Sequence, residues 1–84
     1  MRGNDMQAID LLTDAIKWWD VAEEHIDAGS NRTALVCVRT AITLAGLALE
    51  DAREQHTCRA IVAQLGGMVD CDTWLRQERA ETVL

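Results

Sequence analysis

An all-α bundle is what this chain predicts, and three observations carry that expectation. Its 84 residues include no proline, so only glycine is left to break helices or shape turns. Apolar residues recur at steps of three and four, the spacing that gathers side chains on one face of a helix turning roughly 100° per residue. The stretch from Ala34 to Ala52 is interrupted before Glu50 only by Arg39, Thr40 and Thr43. That composition belongs to a helix buried on most sides. A chain of this length makes one domain, 1–84, and its core is marginal unless self-association or another staple adds to it.

Three main helices and a short fourth follow in order. The first spans about 5–28: Asn4 or Asp5 can cap it, and Ala8, Leu11, Leu12, Ala15, Trp19, Ala22 and Ile26 line one face. Its other face carries Asp10, Asp14, Lys17, Asp20 and Glu24, with Val21 placed on this polar side and Trp18 at the edge of the apolar stripe. Ala28-Gly29-Ser30-Asn31 then supplies a C-cap glycine followed by a new N-cap, the chemistry of a tight αα-hairpin loop. The second helix, about 32–55, must therefore return antiparallel beside the first. Thr57 is placed as the cap of a third helix over about 58–68, with Cys58, Ile61, Val62, Leu65, Met68 and Val69 as its apolar set. Gly66-Gly67 costs on the order of 1 kcal/mol per residue inside a helix, so a break or kink is expected there. Asp70 or Asp72 restarts a short helix over about 72–81 around Trp74 and Leu75, and Arg76-Gln77-Glu78-Arg79 is expected to fray into solvent.

The second helix organises the rest. Ala34, Ala41, Ala45 and Ala48 fall on one narrow stripe, and a row of methyl groups lets another helix approach toward the short end of the usual 8–10 Å. That neighbour is either the first helix or a second copy of the chain. Opposite the stripe lies a seam of Arg32, Arg39, Thr43, Gly46, Glu50 and Arg53. Two readings apply: a solvated strip, or an Arg39 that is buried and paired with an acid such as Glu23, or across a dimer, because an unpaired buried guanidinium is too costly. The expected interface set is thus Trp18, Trp19, Arg39, Ala34, Ala41, Ala45 and Ala48.

Charge and composition argue against several functions. A net charge of −6 repels phosphate backbones, and three tryptophans are the only aromatics, so direct nucleic-acid binding is not expected. The charge is uneven, with seven acids against Arg2 and Lys17 in residues 1–28 and only Arg32 and Arg39 in residues 29–49. Cys37, Cys58 and Cys71 are odd in number and include no CxxC pair, which points to a reducing cytoplasm rather than a disulfide framework. The N-terminus lacks a signal-peptide h-region, and the run from Ala34 to Leu49 reads as too short to span a bilayer and contains Arg39. The bias to arginine over lysine suggests a bacterial or phage source.

Reactive constellations are poorly supplied. His56 with Cys58, and His25 with Cys71, lack the paired spacing of structural zinc sites, and no Glu-x-x-His motif for a di-iron bundle occurs. Cys58, His56 and Glu54 contain the residue types of a nucleophilic triad, but neighbours at a helix junction rarely converge. No glycine-rich phosphate loop is present, since Gly66-Gly67 precedes no Lys-Ser/Thr. No cofactor, metal or catalytic residue is expected.

Ala22-Glu23-Glu24-His25-Ile26-Asp27-Ala28-Gly29, followed by Ala34-Leu35 and Arg39-Thr40-Ala41-Ile42, resembles the central helical hairpin of HEPN-type bundles over less than half of the chain. Tetratricopeptide-like hairpins share the same small residues. The resemblance implies a bundle topology and a habit of dimerising. It does not bring ribonuclease activity, because HEPN ribonucleases carry Arg-x₄₋₆-His and Arg53-Glu54-Gln55-His56 has only two residues between. The functional expectation is a non-enzymatic, self-associating protein-interaction module, such as a phage or mobile-element regulator that binds a partner protein. The alternatives are a HEPN-like component of an RNA-targeting or toxin–antitoxin system, and a virion structural component.

Overall fold

The computed structural model describes the backbone of residues 5–83 and the side chains of residues 5–79; Asn4, one of the two expected caps, lies outside them. Within these residues the chain forms three helices, α1 (Met6–Asp27), α2 (Asn31–Asp51) and α3 (Gln55–Val83), and no strand. The all-α bundle is therefore what forms. The helices run up, down and up, giving an elongated body whose longest dimension is 54 Å.

The α1–α2 turn closes as a Schellman motif. Gly29 takes φ +81°, Ser30 N donates to His25 O at 2.7 Å, and Gly29 N donates to Ile26 O at 3.0 Å. Residues equally distant from Ala28 on either side then lie level across the antiparallel pair. They are Ala22 with Ala34, Ala15 with Ala41, and Ala8 with Ala48, and all six are fully buried. Two heptad rows of alanine thus meet face to face, which brings the two backbones close. The α2 stripe, including Ala45, is used up against α1 inside one chain. It is not a free surface for a second copy.

The third helix differs from its expected form. It is one helix from Gln55 to Val83, so Gly66-Gly67 neither ends it nor separates a fourth, and the segment expected to fray is helical. It also begins earlier than expected. Thr57 sits in its first turn, 6% exposed, and is not its cap. Its own heptad row, Ile61, Met68 and Leu75, is fully buried and supplies most of the large core side chains.

Two long-range contacts seat α3. The Asp5 carboxylate does not cap α1; it crosses to the Ala52–Glu54 link and accepts from the backbone amides of Arg53 and Glu54, each at 2.9 Å. An aspartate from one end of the chain thereby satisfies amides that lead into another helix. These two bonds, aided by Thr57 and His56 and opposed by desolvation, hold the Asp5 pKa below its ordinary value. Further along, the outer edge of the Trp19 ring presses against Gly67. A Cβ added there would sit 2.5 Å from Trp19 Cη2 and 3.2 Å from Cζ2. Gly67 is glycine because an indole occupies its side-chain space, and the packing offsets the helical penalty. Gly66 has open space around it.

Candidate interaction surface

The expected interface residues separate into three groups. Ala34, Ala41, Ala45 and Ala48 are core, Trp19 is half-buried between α1 and α3, and only Trp18 and Arg39 face outward. Arg39 is exposed and forms no ion pair among the described residues, so the buried pair with Glu23 does not exist. Its seam is a solvated strip. Thr43 Oγ1 donates to the Arg39 carbonyl at 3.1 Å and leaves the guanidinium untouched. Val21, expected on the polar side, is half-buried and packs against the core.

Two open grooves mark the surface, one on the α1–α2 hairpin and one on α3. The first, about 450 Å³, lies between the start of α1 and the end of α2 and is lined by Gln7, Leu11, Leu47, Glu50 and Asp51. Helical phase continues its α1 wall from Leu11 to Trp18, seven residues on, and Trp18 is 42% exposed. Since this groove takes the Leu44–Leu47 flank of α2, the opposite flank with Leu35, Val38, Ile42 and Leu49 is the one turned to α3. The second groove, about 360 Å³, is lined by Gln55, Cys58, Arg59, Val62 and Ala63. Val62 in this groove and Val69, a heptad further along α3, are half-exposed.

The groups with reactive potential are dispersed. His56 contacts Glu54 at 3.5 Å while the Cys58 thiol points to the Ala52 carbonyl at 3.8 Å, so the three residues of the hypothetical triad do not converge. Among the described residues no three His, Cys, Asp or Glu side chains gather as a metal site would require. Burial pushes the Cys71 thiol up from its ordinary pKa, with Glu23 and Asp72 adding to the rise and the Trp19 indole N–H opposing it. That indole nitrogen is buried and makes no hydrogen bond of normal geometry, so its contact with the sulfur is a weak one. Cys71 therefore stays a protonated, poorly nucleophilic thiol at neutral pH.

By length and composition α2 passes as a possible membrane span, contrary to the shorter apolar run read from Ala34 to Leu49. An 18-residue window of this 21-residue helix has a mean hydropathy of 1.5, and the alanine face that contributes to it is closed against α1. Comparison with protein-family models, curated proteins and solved structures finds no match to this chain.

Proposed function

We propose that the chain is a soluble, cytoplasmic, non-enzymatic interaction module, of the kind that serves as a phage or bacterial regulator, and that it self-associates and binds a partner protein along the Trp18 side of the α1–α2 hairpin. The observation that carries this reading is the exposed indole of Trp18, one heptad along α1 from Leu11, which with Leu47 lines an open groove. Scattered apolar side chains on a surface need no explanation, but an exposed tryptophan on the same helix face as a groove is the usual kind of interface anchor. The acids Glu50 and Asp51 at the groove and Asp10 and Asp14 beside it favour a partner with basic flanks.

Capture from a lysate of the native host tests this reading. Immobilised wild-type protein should retain a partner that Trp18→Asp loses and Val62→Asp keeps. Equal capture by all three proteins would dispose of the Trp18 surface.

A further inference from the structure

The alanine hairpin has two flanks, and only one is covered. On the covered flank α1 offers Leu12, Ile16 and Trp19 and α2 offers Val38, Ile42 and Leu49, and α3 seats there through its heptad row Ile61, Met68 and Leu75. The uncovered flank repeats the pattern. Two heptad rows run along it, Leu11 and Trp18 on α1 and Cys37 and Leu44 on α2. Counted from the turn, Leu11 is about level with Leu44 and Trp18 with Cys37. Leu47 stands beside them, 47% exposed. Paired antiparallel helices with large side chains along one flank are the surface on which α3 already rests, so the occupant that fits the open flank is a helix as well.

Charge decides which helix. The groove at the end of this flank is lined by Glu50 and Asp51, and Asp10 and Asp14 border it on α1. None of the four forms an ion pair among the described residues. No base stands in the last turn of α2, where Glu50 and Asp51 add to the partial negative charge of the helix C-terminus. By helical phase Lys17 on α1 and Arg32 and Arg39 on α2 point outward from the hairpin and do not line this flank. In the free chain these acids repel one another and the helix end, and a cation supplied from outside relieves both.

We propose that this flank receives an amphipathic helix of a partner protein as the fourth helix of the bundle, with an apolar stripe over Leu11, Leu44 and Leu47 and with lysine or arginine beside Glu50 and Asp51. The flank from Gln7 to Trp18 extends about 16 Å, room for roughly three turns of such a helix. This fourth helix presupposes the Trp18-side interaction surface proposed above and adds to it the partner's fold and charge.

The probe is a synthetic peptide of about two heptads with leucine along one face and lysine on both flanks, beside a counterpart with glutamate in place of lysine. In isothermal titration the wild type should bind the lysine peptide and not the glutamate one. Leu47→Asp and Asp51→Lys should each weaken binding about tenfold or more, whereas Asp70→Lys, the same charge change at an exposed site on α3, should leave it within about twofold. Leu47 and Asp51 are exposed and lysine suits a helix C-terminus, so both variants should keep the wild-type helical circular-dichroism spectrum. Absence of binding, equal binding of the two peptides, undiminished binding by Leu47→Asp, or equal loss by Asp51→Lys and Asp70→Lys would each overturn the proposal. In capture from host lysate, a partner lost by Trp18→Asp and kept by Asp51→Lys would sink the basic helix and leave the Trp18 surface standing.

Discussion

The α1–α2 seam and the α3 seat bury their residues by opposite means. Between α1 and α2 the contact is alanine against alanine, six methyl groups at heptad spacing with every one fully buried. Against α3 it is bulk: Ile61, Met68 and Leu75 fill the space, the edge of Trp19 presses on a bare glycine, and an aspartate fastens the helix start. A methyl seam has little to lose by truncation and no room for enlargement. A seat of large side chains has the reverse sensitivity, because removing one leaves a cavity that neighbours only partly fill.

The largest test of that contrast is Met68→Ala, expected to cost about 2–5 kcal/mol in chemical denaturation. A loss as small as that of an exposed valine would mean α3 is not seated as described. Enlargement of the other seam comes next: Ala45→Leu should destabilise by about 1–3 kcal/mol through overpacking, and an unchanged melting temperature would show that the stripe has slack. The glycine pair sharpens the comparison within two adjacent residues. Gly67→Ala should destabilise by about 1–3 kcal/mol as Trp19 is displaced, with a shift in tryptophan fluorescence. Gly66→Ala should stabilise by about 1 kcal/mol, since it adds helix propensity and meets nothing. Similar effects at both positions would refute the Trp19 contact.

The smallest effect is confined to acid. Asp5 has a folded-state pKa below its ordinary value, so its contribution is complete above the unfolded pKa of about 4 and disappears as pH falls through the lower folded value. Asp5→Asn should therefore be less stable than wild type at neutral pH, with the gap closing as the solution is acidified below about pH 4. A gap that is constant with pH would assign Asp5 no charged role.

Much of this architecture is legible in the order of residues. The α1–α2 hairpin follows from Gly29 and from periodicity, and the alanine stripe of α2 identifies itself by composition, because helical spacing and turn chemistry are local properties. The matching row Ala8, Ala15 and Ala22 was equally present, and level pairing about the turn assigns the α2 stripe to α1 without a second copy. What misled was the penalty attached to Gly66-Gly67. Intrinsic propensity predicts a break, and tertiary packing overrides it by placing an indole where a side chain would be. The candidate surface was less legible: the sequence put Trp18 at the edge of the apolar stripe and left Arg39 open between a solvated strip and a buried pair, and only the packed structure shows both exposed.

The sequence by itself determined that the chain is helical, that α1 and α2 form a tight antiparallel pair, and that the net negative charge is concentrated on α1. Tertiary structure alone decided that α3 is one unbroken helix, that Asp5 fastens its start and that Trp19 rests on Gly67. Both contacts join residues 48 positions apart, Asp5 with Arg53 and Trp19 with Gly67, and no periodicity within a helix carries information about a partner on another one.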